Sequence, residues 1–311
     1  LRVPSGVAYM LENRNVMKKV VTELFNKYQV SPVDDYTAQL YKCLSDASYS
    51  TEKDKTIVIL SPGVFNSAYF EHAYLAQQMG IHLVESSDLI LSKDNYVYMK
   101  TISGRKKVDV IYRRINDDYL DPELWVKDSV LGLPGLINSW KEKKIAIVNA
   151  PGSGVADDKA VYAFVPKMIE FFLNEKPKLS QVKTYLCAFK KDKKYVLDNI
   201  ERLVLKPVNE SGGYGILIGP TASKKELNEY KLKIINNPRN FVAQPLIRLS
   251  TSPTIIKSSI QPRHIDLRPF ILSSKKTFIT NGGLTRVALK KGSTIVNPSQ
   301  GGGSKDTWVV N

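Results

Sequence analysis

Cysteine is almost missing from this chain. Cys43 and Cys187 are the only two among 311 residues, far apart in sequence. That count leaves no disulfide framework and no metal-binding spacing, so two reduced thiols are expected. Histidine is scarce too, at three residues. There is no His-x-x-x-His pair and no Gly-x-Ser-x-Gly elbow, so zinc hydrolysis and hydrolytic triads have no support. His72, on an amphipathic helix, and His82, in a strand, read first as packing or surface residues. No apolar run approaches the length of a membrane span, and no stretch reads as a signal peptide, so a cytoplasmic setting without membrane contact is expected. Repeats and low-complexity tracts are absent as well.

Acidic residues are outnumbered. Lys and Arg total 45 against 30 Asp and Glu, a formal net charge of +15. Such an excess permits nucleic-acid binding, but equally suits an enzyme of polyanions or a lysine-rich proteome. No RNA- or DNA-reading motif accompanies it. Clusters such as Lys190-Lys191-Asp192-Lys193-Lys194 read as solvated surface, and no nucleic-acid partner is expected.

The apolar pattern organises the rest. Residues 7–30 read as a helix with Val16, Val20 and Leu24 on one stripe, and Tyr36, Leu40 and Leu44 mark a second helix. Thr56 to Leu60 is a short continuous apolar run of the buried parallel type. The turn Ser61-Pro62-Gly63, a helix capped near Asn66 or Ser67 and ended by Gly80, and a strand at 81–84 complete a βαβ unit. Further strands at 108–112 and 144–148 extend an open α/β sheet, with Arg113, Arg114, Asn149 and Ser153 beyond the strand ends, where ligands of such sheets bind. A helix over 158–174 follows. After Pro177 the character becomes α+β, with strands, one helix from Ser223 and an antiparallel run from Thr254 onward.

Four stretches could carry chemistry. Lys206 ends a strand and precedes Glu210-Ser211-Gly212-Gly213-Tyr214-Gly215. Backbone N–H groups of such a glycine hairpin can close over phosphate oxygens while the lysine supplies a point charge. A plain flexible turn explains the glycines equally well. In His264-Ile265-Asp266-Leu267-Arg268, alternation puts His264, Asp266 and Arg268 on one strand face and Ile265 and Leu267 toward the core. Asp266 and Arg268 either pair with each other or their neighbours, or hold a cation and an anion respectively. Arg286 follows Gly282-Gly283 and begins a strand expected to pair with 294–297. It is either a surface arginine or a stabiliser of transferring phosphoryl charge. The run Gln300-Gly301-Gly302-Gly303-Ser304-Lys305-Asp306 has no packing explanation and suits a backbone that bends beside something polar.

Taken in order, these pieces resemble one family. The motifs are Leu1-Arg2-Val3-Pro4-Ser5-Gly6 through Arg14, residues 61–75 from Ser61-Pro62-Gly63, and Val84-Glu85-Ser86-Ser87-Asp88. They continue through residues 109–118, 149–154, 263–270, 282–288 and 299–308. The chain resembles the circularly permuted ATP-grasp type 2 proteins, relatives of the glutathionylspermidine synthetases. The resemblance implies a mixed α/β and α+β ATP-grasp fold with a Rossmann-like pre-ATP-grasp domain. It divides the chain into a helical segment of the ATP-grasp core (1–54), the Rossmann-like domain (55–157) and the ATP-grasp lobes (158–311, split into 178–250 and 251–311).

The same resemblance implies a carboxylate–amine ligase that uses ATP and Mg2+, works through an acylphosphate, and takes a small carboxylate and an amine such as a peptide or amino acid. Lys206 and Glu210 to Gly215 would grip the phosphates, and Gln244, Pro245 and Leu246 would form the hinge beside adenine. Arg268 and Arg286 would stabilise the transferred group. Arg2, Ser5, Arg113, Arg114, Asn149, Ser153 and Gln300 to Ser304 would face substrate. Asp266 and Asn297 are candidates for the metal. The family's acidic and asparagine ligands precede the Arg-Val-Pro-Ser-Gly motif, so the main ligands are expected upstream of Leu1 and the stretch as written is expected to be an inactive fragment. The alternative is a degenerate binding module for an acidic partner.

Overall fold

The computed structural model describes residues 3–210, 215–293, 296 and 301–310. Two units share the chain. One comprises Leu1–Ser153, Ile265–Leu289 and Gly302–Asn311, and the other Gly154–His264 and Lys290–Gly301. The stretches 1–54 and 55–157 therefore fall almost wholly in one unit, while 251–311 contributes to both.

The first unit opens with α1 (Val7–Val20), α2 (Thr22–Tyr28) and α3 (Tyr36–Asp46). One continuous helix over 7–30 is not formed, because the chain leaves helical geometry at Val21. The buried face of α1 is Val7, Ala8, Met10, Leu11 and Arg14, spaced as one helical stripe. Val16, Val20 and Leu24 are exposed, so the stripe read from the sequence was the solvent side. On α3 the expected stripe holds: Tyr36, Leu40 and Leu44 are buried.

Next come β1 (Ile57–Leu60), α4 (Tyr69–Met79), β2 (His82–Val84), β3 (Leu89–Leu91), β4 (Val97–Thr101), β5 (Gly104–Lys107), β6 (Val110–Arg113), α5 (Leu136–Lys141) and β7 (Ala146–Val148). A four-stranded parallel sheet runs in the order β2-β1-β6-β7. All four residues of β1 are buried because both faces are covered. Ile57 and Ile59 pack with α1, α3 and α4, while Val58 and Leu60 pack with Leu136 and Ile137 of α5. Strands β3, β4 and β5 form a small antiparallel sheet, with β3 and β4 paired as a hairpin.

The second unit holds α6 (Lys159–Tyr162), α7 (Val165–Leu173), β8 (Tyr185–Leu186), α8 (Lys190–Asp198), β9 (Leu203–Pro207), β10 (Leu217–Ile218), α9 (Lys224–Asn236), β11 (Phe241–Pro245), β12 (Thr251–Ile256) and the first part of β13 (Ser259–Arg268). The stretch 158–174 forms two helices rather than one, with Pro166 in the first turn of α7, where its missing N–H costs nothing. An antiparallel sheet runs β10-β9-β11-β8. Leu203, Leu205 and Ala243 pack with Val196 and Ile234 of the helices on one face. On the other face Val242 and Leu186 meet Ala160 and Ala163. Ser223 and Glu226 close a capping box at the start of α9.

The chain then returns to the first unit with the end of β13, β14 (Ile271–Ser273), β15 (Thr277–Ile279), β16 (Gly282–Val287) and β17 (Gly303–Trp308). Over residues 284–287 the two edges of β16 are taken by β13 and β17. The strand expected to pair with 294–297 is thus sealed by β17, which begins inside the glycine run.

Candidate functional site

In the second unit the site begins with strand alternation. Lys206 lies opposite Val242, and Gln244 lies opposite Val204, so Lys206 and Gln244 share one face of the antiparallel sheet. The Lys206 ammonium donates to Gln244 Oε1 at 2.7 Å, and Gln244 Nε2 donates to Thr184 Oγ1 at 2.8 Å. Burial pushes the Lys206 ammonium below its usual range. Its partner is a neutral amide, so the charge is desolvated without being neutralised. Such a cation gains from an arriving anion.

Around this row, Lys159 Nζ donates to the backbone oxygens of Val208 and Glu210. Gly215 sits at φ +64°, and its oxygen accepts from Tyr230 Oη at 2.6 Å. A Cβ on Gly215 would come within 2.9 Å of Pro207 Cγ, so the glycine satisfies both backbone and space. Pro245 ends β11, and Leu246 is exposed just beyond it. Ser211, Gly212, Gly213 and Tyr214 lie outside the described residues. Thr184 escaped sequence reasoning because it belongs to no motif; only the fold brings it to Gln244.

In the first unit the site is built on the entry to α1. Gly6 is the residue before the helix, at φ +96° with no capping side chain. A Cβ there would meet Leu284 Cδ2 at 2.7 Å. Its N–H donates instead to Glu71 Oε2 at 2.6 Å, and Ala8 N–H reaches the same oxygen at 3.4 Å. Glu71 Oε1 accepts from Arg114 at 2.7 Å. Arg114 also reaches Tyr112 Oη at 3.3 Å and Pro4 O at 3.4 Å. Behind it, Ser61 Oγ and His72 Nδ1 are 2.9 Å apart. Burial, then Arg114, lowers the His72 pKa to about 4. His72 is thus a neutral packing histidine, as expected.

The antiparallel sheet faces this entry. Arg268 donates to Ser5 O at 3.1 Å. Burial, then the neighbouring Arg286 guanidinium, lowers its pKa. Asp266 and Arg286 are directly opposite in register. Arg286 holds both carboxylate oxygens, with Nε to Oδ1 at 2.8 Å and a second close contact to Oδ2. Of the alternatives open for Asp266, pairing with a neighbour is realised, and the neighbour is Arg286. The buried side is also the reverse of expectation. Leu267 is 57% exposed, while Leu284, on the face shared by Asp266 and Arg268, packs against Gly6 and the core.

The glycine run divides. Gly301 has φ +85° with open space around a would-be Cβ, so its role is backbone conformation. Gly303 starts β17 opposite Val287, where a Cβ would press on Leu289 and Val287 at 3.2 and 3.3 Å. Gly302 lies between them. Ser304 Oγ accepts from Asn13 Nδ2 at 3.1 Å. Asp306 locks the strand, as its Oδ2 accepts from Arg14 Nε and from Trp308 Nε1, both at 2.7 Å. Arg14 is fully buried and also donates to Ser31 O and Thr307 O. Burial lowers the Lys305 pKa.

Other expected contacts turn inward. Arg113 is wholly buried. It donates to Asn149 O at 2.7 Å, Ala150 O at 3.0 Å and Ile115 O at 3.4 Å, and pairs with Asp117. It clamps the turn after β7, which also contains Ser153, whose N–H donates to Ala150 O at 3.1 Å. Arg113, expected to face substrate, is turned into the fold by these contacts and caps the sheet edge. Arg114 is buried too. Arg2, Asn297 and Gln300 lie outside the described residues.

Both Asp266 oxygens are taken by Arg286, and among the described residues there is no group of three His, Cys, Asp or Glu able to hold a metal. No described helix is long and apolar enough to cross a membrane.

The sequence profile of circularly permuted ATP-grasp type 2 proteins matches residues 1–288. An uncharacterized protein of Synechocystis is 51% identical over 311 residues, all of this chain, which spans 64% of that relative's length. A Frankia casuarinae protein named "Putative glutamate--cysteine ligase 2-2" is 42% identical over 99% of this chain and 36% of its own length. Among solved structures, a glutathione synthetase-like effector from Globodera pallida superposes with a TM-score of 0.54 at 11% identity, over 99% of this chain and 69% of its own; at that identity the likeness concerns the fold. The mixed parallel and antiparallel architecture and the matched profile agree: the chain belongs to the circularly permuted ATP-grasp type 2 family.

Proposed function

We propose that this chain carries the nucleotide grip and the phosphoryl-facing arginines of an ATP-dependent carboxylate–amine ligase that forms an amide or peptide-like bond through an acylphosphate. ATP, when bound, supplies the phosphoryl group that activates the carboxylate. The observation that carries the reading is Lys206, a partly buried cation whose partner is the neutral amide of Gln244, in a chain of an ATP-grasp family.

In this proposal Gln244 aims the Lys206 ammonium at phosphate oxygens, and Glu210 to Gly215 close over them. Pro245 and Leu246 border the base. Arg268 and Arg286 oppose the negative charge that develops on the transferred group. For Arg286 this requires sharing its guanidinium between Asp266 and the substrate. Ser5 and Gly301 to Ser304 would meet the carboxylate. Arg114, paired with Glu71, acts through the loop it holds.

One observation favours a second reading, a nucleotide-binding module without turnover: Asp266 is already neutralised by Arg286. ADP release by the full-length protein, measured across amino-acid and polyamine acceptors with a Lys206→Ala control, separates the two. Acceptor-dependent release that the control lacks is expected. ATP binding without any such release would sink the ligase and leave the module.

A further inference from the structure

We infer that Glu71 is a positioning residue for the proposed reaction, acting as an N-cap supplied from another helix that holds the Pro4–Gly6 loop, and with it Ser5 and Arg268, in working geometry. The inference rests on the ligase reading for its catalytic consequence and on geometry alone for its structural one.

The first turn of a helix leaves N–H groups without partners, and a side chain of the preceding residue normally accepts from them. Gly6 precedes α1 and has no side chain to do so. A side chain there is excluded twice, by φ +96° and by Leu284 at 2.7 Å. The acceptor comes from 65 residues away: Glu71 Oε2 takes Gly6 N–H at 2.6 Å and Ala8 N–H at 3.4 Å. A carboxylate at this point also complements the helix dipole.

The second oxygen of Glu71 is occupied by Arg114, and both side chains are nearly inaccessible, at 3% and 2% exposure. Arg114 in turn donates to Pro4 O. The loop is therefore fixed from one side by an ion pair on Pro4, Gly6 and Ala8. From the other side, Arg268 donates to Ser5 O. Arg268 is half-buried beside Arg286, and its hydrogen bond to Ser5 O aims one arm of its guanidinium. Loosening the loop releases that arm without touching Lys206, which belongs to the other unit.

The test uses Glu71→Asp, which keeps the charge for Arg114 but withdraws the carboxylate from Gly6, with Glu71→Gln as a second variant. Hydrogen exchange of the residue 3–9 peptide is read against the peptide of β1 in the same protein. Exchange at residues 3–9 should rise about tenfold or more, the scale set by losing a charged hydrogen bond, while β1 stays protected. In the ligase assay the KM for carboxylate should rise and kcat fall, with ATP binding unchanged. Unchanged exchange at residues 3–9, or a rise shared equally by β1, would overturn the role. If wild-type protein releases no ADP, the ligase reading fails, and the exchange result still decides whether Glu71 holds the loop.

Discussion

Lys206 and Arg286 are both half-buried cations on antiparallel sheets, yet their electrostatic situations are opposite. Lys206 faces the neutral amide of Gln244, and burial lowers its pKa. Arg286 is held by both oxygens of Asp266. A desolvated charge with a dipole for a partner is completed by an incoming anion, whereas a paired one must give up or share its carboxylate first. The comparison separates a group poised for a polyanion from one held in reserve. It also separates both from Arg14 and Arg113, each of whose guanidinium nitrogens bonds into the fold.

The largest effect should come from the committed class. Asp306→Ala leaves Arg14 buried without its carboxylate and should lower unfolding free energy by about 3–5 kcal/mol in urea titration. A loss below about 1 kcal/mol would mean that Arg14 is as free as Lys206. Lys206→Ala should weaken ATP binding by about 2–3 kcal/mol, on the order of a hundredfold, in calorimetry. An unchanged affinity would erase the contrast with Arg286.

A pH titration of stability probes the neighbourhood of Arg114. His72 is neutral in the fold, with a pKa lowered to about 4 by burial and Arg114, while the unfolded chain protonates near 6.5. Between those values the unfolded state binds more protons, so the contribution is complete above pH 6.5 and is lost as pH falls toward 4. The loss should be on the order of 3 kcal/mol and absent in His72→Gln. The smallest effect is expected from Asp266→Asn. It keeps the shape, frees the Arg286 charge, and should change stability by no more than about 1 kcal/mol while strengthening binding of inorganic phosphate. Weaker phosphate binding would place Arg286 with the structural arginines.

Legibility differed by kind of interaction. The βαβ order of β1, α4 and β2 and the α3 stripe were readable because apolar periodicity is a local property. The family was readable because its motifs are long and contiguous. The α1 stripe was misread because Val16, Val20 and Leu24 share the helical period with Val7, Met10, Leu11 and Arg14, and periodicity cannot say which of two stripes finds a partner. Glu71 was legible only as a letter in Phe70-Glu71-His72. Nothing local marks a carboxylate that caps a helix 65 residues away.

Sequence by itself therefore determined the family, the βαβ order of β1, α4 and β2, and the presence of Lys206, Arg268 and Arg286 at strand positions. Local propensity and contiguous motif chemistry suffice for these. Tertiary structure alone decided which charges are available. The neutral partner of Lys206, the bidentate hold on Arg286, the clamp made by Arg113 and the lock of Arg14 on Asp306 all depend on contacts across long sequence separations. Burial and pairing, which set the free energy of a charge, belong to the folded environment and not to the residue type.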